Sequence, residues 1–62
     1  MKPKTVWKTE DRDGVRGELT RTDPDVWILD LIENGDIMLE MNRQQLKELR
    51  DVIDAELMTD EG

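Results

Sequence analysis

Short apolar stretches, alternating with polar residues over 15–21, are separated by turn residues along the first two-thirds of the chain and then give way to a three- and four-residue period. Alternation marks strands and the longer period marks a helix. Residues 4–9 (KTVWKT) predict a first strand and residues 15–21 (VRGELTR) a second. The turn chemistry of residues 10–14 (EDRDG) lies between them. A proline-containing turn, residues 22–25 (TDPD), leads to the most apolar stretch, residues 26–33 (VWILDLIE). Asn34-Gly35 then supplies the residue pair that a two-residue type I′ hairpin requires, and residues 36–41 (DIMLEM) return as a fourth strand.

The period changes after Met41. Asn42 with Gln45 three residues on is a close variant of the capping box, and Met41 and Leu46 occupy the two positions of a hydrophobic staple. Leu46, Leu49, Ile53 and Leu57 recur as one apolar stripe widened by Val52, which predicts a helix over 43–57 with a frayed tail at 58–62. The expected fold is α+β. It is a single domain, 1–62, with a four-stranded antiparallel ββββ meander followed by one C-terminal amphipathic helix packed on one sheet face.

Strand parity decides what each face carries, because a one-residue slip moves every side chain to the other face. With Asn34-Gly35 as a two-residue loop, Ile32 opposes Ile37, Asp30 opposes Leu39 and Ile28 opposes Met41. With a four-residue loop at 22–25, Leu19 lies beside Ile28 and Val15 beside Ile32. The helix is then expected over Val15, Leu19, Ile28, Ile32, Ile37, Leu39 and Met41, joined by Val6 if the first turn has even length. The other face collects Trp7, Trp27, Leu29, Leu31 and Met38, too large an apolar cluster for the bare surface of so small a monomer. Those five residues form the expected protein interface. The competing account is that a misjudged loop length has split one core into two.

Composition adds a reason to expect a partner. Sixty-two residues bury too little surface for comfortable stability, and small domains usually rely on disulfides, a structural metal or a second subunit. Cysteine and histidine are both absent, which removes disulfides and the usual zinc sets and leaves a second subunit. Met1 to Lys8 has no apolar core of a signal peptide, and residues 26–32, interrupted by Asp30, fall far short of a membrane span. A cytoplasmic location is the expectation.

Charge is unevenly placed. Sixteen acidic and nine basic residues give −7. Residues 1–22 carry +2 and residues 23–62 carry −9. An acidic domain disfavours binding to a phosphate backbone and suits a basic protein surface, though acidity also simply keeps a small protein in solution. On the helix, Arg43, Lys47 and Arg50 precede Asp51, Asp54 and Glu56, opposite to the order the macrodipole favours. Either the acidic end rests against Lys2, Lys4 or Lys8, or Asp51, Asp54, Glu56, Asp60 and Glu61 form an acidic binding surface.

Catalytic chemistry has little to draw on. Without His, Cys, Ser or Tyr the common nucleophile–base pairs cannot be assembled, and no enzyme activity and no cofactor are expected. Asp30 is the one carboxylate expected against the core, with Gly17 beside it as a candidate bulge. Either it is a tuned acid or partner contact, or it pairs with a base near the sheet margin. Asp11, Asp13 and Glu18 around two glycines do not match the spacing of a calcium loop. The leading expectation is a small acidic, non-catalytic protein–protein interaction module, homodimeric through the tryptophan-bearing face. The alternative is an acidic inhibitor that mimics nucleic-acid charge and blocks a basic groove. Direct nucleic-acid binding through Trp7 and Trp27 as stacking platforms is disfavoured by net charge.

Overall fold

The computed structural model describes residues 2–60. Four strands, β1 (Lys4–Glu10), β2 (Arg16–Asp23), β3 (Val26–Ile32) and β4 (Asp36–Asn42), form one antiparallel sheet in the order β1-β2-β3-β4. A single helix, α1 (Arg43–Asp60), follows β4 without a break. This is the expected ββββα arrangement of the α+β class. Among the described residues no helix is long and apolar enough to cross a membrane.

Each connection has an identifiable local cause. Between Glu10 and Arg16, which pair across the first hairpin, the Asp11 carboxylate accepts hydrogen bonds from the amides of Asp13 (2.8 Å) and Val15 (3.0 Å). Gly14 sits at φ +86°, a left-handed conformation that other side chains resist. The second hairpin narrows to Pro24-Asp25, because Asp23 already pairs with Val26 and the strand is irregular at Thr22. The third is a three-residue loop, Glu33-Asn34-Gly35, closed by Ile32 opposite Asp36. Asn34 and Gly35 do not take positive φ, so the type I′ turn expected there does not form.

These loop lengths overturn the expected parity. Across β3 and β4, Trp27 opposes Met41, Leu29 opposes Leu39 and Leu31 opposes Ile37. Across β2 and β3, Leu19 opposes Leu29, and across β1 and β2 it opposes Trp7. One face therefore gathers both tryptophans together with Leu19, Leu29, Leu31, Ile37, Leu39 and Met41. Had Asn34-Gly35 been a two-residue loop, Asp30 would lie among the apolar residues of β4, and an unpaired carboxylate there is costly. One extra loop residue moves it to the far face, opposite Glu18 and Met38.

The division into a helix face and a separate tryptophan face is thus corrected: they are the same face. Met38 leaves the expected cluster for the far side, and so do Ile28 and Ile32 from the expected helix side. Val6 falls at a register irregularity between Thr5 and Trp7. Gly17 marks no bulge. It pairs regularly with Thr9 and Leu31 and lies 3.7 Å, measured from where a Cβ would stand, from the Trp7 ring.

The helix begins as its capping residues dictate. The Gln45 amide donates to Asn42 Oδ1 and the Asn42 amide donates to Gln45 Oε1, each at 2.8 Å, a reciprocal box that satisfies two backbone donors. The helix continues through Met58 and Thr59 to Asp60, past the end expected at 57, because no glycine or proline interrupts it. The remaining tail residues, Glu61 and Gly62, lie outside the described residues.

Because the cap links sheet to helix, Asn42→Ala should lower unfolding free energy by about 1 kcal/mol. Urea denaturation followed by circular dichroism reads this directly, and an unchanged midpoint would contradict it.

Candidate interaction surface

Only one end of the apolar face is closed. Trp27 and Met41 are each 7% exposed, and no other large apolar side chain among the described residues is buried to that degree. The guanidinium groups of Arg21, its cross-strand neighbour, and Arg43, the first residue of α1, lie over the Trp27 ring at 5.1 and 5.3 Å from its centroid. Both arginines also donate to the Pro24 carbonyl, at 2.6 and 2.8 Å, and Arg43 Nε is 2.7 Å from Asp25 Oδ1. Cation–π contacts of this type contribute about 0.5–1 kcal/mol each at exposed sites. Together they tie the helix start to the β2–β3 turn through the tryptophan.

Away from that end the sheet and the helix stand apart. Trp7, Leu19, Leu29 and Leu31 on the sheet face Leu46, Leu49 and Ile53 on α1 across an open groove of about 710 Å³. Its rim carries Glu10, Asp11, Arg50 and Asp54. Trp7 is 53% exposed, and Ile37, Leu39, Val52 and Leu57 are exposed as well. The whole chain exposes 5303 Å², whereas a compact monomer of this mass exposes about 4,200 Å². The excess of roughly 1,100 Å² exceeds the roughly 800 Å² that each partner contributes to a standard interface.

Of the residues expected at the interface, Trp7, Trp27, Leu29 and Leu31 share this face, Trp27 as its buried anchor and the others along the groove. Met38 does not join them. Leu19, Ile37 and Leu39, expected on the opposite face, extend the same surface. The placement of Asp30 in the core was the signal against the expected register.

The acidic residues of α1 are dispersed. At about 100° per residue, Asp51 and Asp54 point to neighbouring sides of the helix while Glu56 points away from both. Asp51 lies 3.2 Å from Arg50, and no ion pair among the described residues joins the helix to Lys2, Lys4 or Lys8. Glu61 lies outside the described residues, and for Asp60 only the helical backbone is described.

The far face is charged. Glu18, Asp30, Asp36 and Glu40 share it with Lys8 and Arg16. Asp30 Oδ1 is shielded from solvent without a hydrogen-bond partner. Desolvation raises the Asp30 pKa above its ordinary 3.8, Asp36 and Glu18 raise it further, and Arg16 opposes the shift. No group of three or more metal-ligating side chains occurs among the described residues. No protein-family model matches the chain, and neither a curated protein nor a solved structure is found to be similar to it.

A carboxyl whose pKa is raised on folding binds its proton more tightly in the folded chain. Its contribution favours folding in acid and is lost as pH rises from 3.8 through the raised value. Asp30→Asn should therefore melt higher than the parent at neutral pH, with the gap closing as the solution is acidified. Thermal melts across the carboxylate range test this, and a gap independent of pH would exclude Asp30 as its source.

Proposed function

We propose that the chain is a small acidic, non-catalytic protein–protein interaction module that works as a homodimer through the apolar face its sheet and helix leave open. The observation that carries this reading is the incomplete core. A single chain closes only the Trp27 end, and the rest of the face stays in contact with water, which costs about 25 cal/mol for each Å² left unburied.

The chain is extended for its length. The Cα radius of gyration is 13.3 Å, against about 10.6 Å for a compact 62-residue domain and about 13.7 Å for a compact particle of 124 residues. One chain thus already spans nearly the reach of a compact dimer. The carboxylates of Glu18, Asp30, Asp36 and Glu40 are on the far face, and those of Glu10, Asp11 and Asp54 stay at the rim of the groove beside Arg50. The reading as an inhibitor that mimics nucleic-acid charge has less support, because Asp51, Asp54 and Glu56 do not share one side of the helix.

Sedimentation equilibrium at tens of micromolar should return the dimer mass, little affected by added salt. Ile37 is 71% exposed in the single chain, so Ile37→Asp would change a lone monomer's stability by only about 0.5 kcal/mol or less. In a dimer that buries this position the same substitution should weaken association at least about tenfold, since it desolvates a charge. A parent protein that sediments as a monomer would overturn the reading.

A further inference from the structure

The two edges of the sheet are built differently. β1 follows Pro3, carries Lys4 and Lys8, and is irregular between Thr5 and Trp7. Lysines, prolines and bulges are the devices by which proteins keep an edge strand from pairing with another chain. β4 has none of them. It runs in unbroken register with β3 from Asn42 opposite Val26 to Asp36 opposite Ile32, and it contains no Pro, Lys or Arg. Every residue in it except Met41 is exposed, including Ile37, Met38 (67%) and Leu39 (54%). The groove under α1 is lined by side chains from β1, β2 and β3 and by none from β4. β1 carries all three devices, and β4 only the carboxylates of Asp36 and Glu40.

The β4 sequence also selects how a second β4 could pair with it. Directly opposed residues of antiparallel strands share a face, so keeping the two apolar faces continuous restricts the two-fold axis to pass beside a residue, not between two. An axis at Met38 sets Asp36 against Glu40 of the other copy, twice. An axis at Glu40 sets Glu40 against itself. Like charges directly opposed destabilise a pair. An axis at Leu39 opposes Leu39 to Leu39, Ile37 to Met41, Met38 to Glu40 and Asp36 to Asn42, with no facing carboxylates. Of these three axes only that at Leu39 uses all seven residues of the strand.

We infer that two copies join through their β4 edges, antiparallel about a two-fold axis at Leu39, to form one eight-stranded sheet with both helices on the same side. This rests on the homodimer reading, places the contact at the β4 margin of the apolar face, and leaves the groove between β1–β3 and α1 open in each copy. The two apolar faces become one surface, and Ile37 and Leu39 move from its margin to its middle.

The chain has no cysteine, so single-cysteine variants are clean reporters. Met38→Cys and Glu40→Cys lie on the far face, where a dimer formed by stacking the apolar faces would leave them pointing outward. In the Leu39 register, position 38 of one copy opposes position 40 of the other with Cα atoms about 4.5–5.5 Å apart, within the range a disulfide spans. Two copies of position 38 are displaced by two residues along the strands, about 8 Å apart, too far to bridge. Under mild oxidation an equimolar mixture of the two variants should therefore cross-link several-fold more than either variant alone, and the product should be the mixed dimer. If sedimentation gives a dimer and the mixture shows no such preference, edge pairing is overturned and the homodimer reading stands. If the chain sediments as a monomer, both are overturned.

Discussion

Trp27 and the two guanidinium groups over its ring decide where this molecule is closed. The ring belongs to β3, Arg21 to β2 and Arg43 to the first turn of α1, so a single side chain couples two strands and the helix. The hydrogen bonds of both arginines to the Pro24 carbonyl extend that coupling to the turn. Met41 opposes Trp27 on β4 and is equally buried. The capping box of Asn42 and Gln45 follows immediately. From there the helix has a fixed origin, and everything further along it depends on how far its apolar stripe can reach back over the sheet.

It cannot reach over all of it. Four strands about 4.8 Å apart span about 15 Å between the outer two, while a helix with its side chains is about 10–12 Å across. One helix thus leaves part of a largely apolar sheet face uncovered. This chain has 62 residues, and 18 of them already form α1. The open groove between Leu19, Leu29 and Leu31 on one side and Leu46, Leu49 and Ile53 on the other is the geometric consequence.

The elements were legible in the sequence for reasons that are local. Alternation in β2, the apolar run of β3, the acidic turn ending at Gly14, and the Asn42–Gln45 spacing each depend on residues a few positions apart. Which residues share a face was not legible, because it depends on whether a loop holds two or three residues, and Asn34-Gly35 is compatible with both. A one-residue difference there puts Met38 on the far side and Leu39 on the side of Trp27, and the irregularity at Thr22 in the second hairpin does the same for Leu19. The tertiary preference that settled the matter was the cost of placing Asp30 among Ile37, Leu39 and Met41. Trp27, Leu29 and Leu31 share a face because they alternate along one strand, β3, and Trp7 joins them because the first hairpin sets it opposite Leu19, which itself opposes Leu29. The helix was misassigned relative to that set.

Keeping Asp30 out of the apolar face has a local electrostatic cost on the other one. It stands beside Glu18 and near Asp36, and only Arg16 among its neighbours offsets them. The arrangement nevertheless makes the sheet one-sided. Stacking a second sheet on the far face would desolvate Glu18, Asp30, Asp36 and Glu40 with only Lys8 and Arg16 to compensate, and unpaired buried carboxylates are among the most expensive groups to place in an interface. Ile28, Ile32 and Met38 on that face are too interspersed with charge to form a continuous apolar patch. The raised pKa of Asp30 and the open groove under α1 therefore have one origin, a register that gathers the large apolar side chains on one face and leaves the carboxylates crowded on the other.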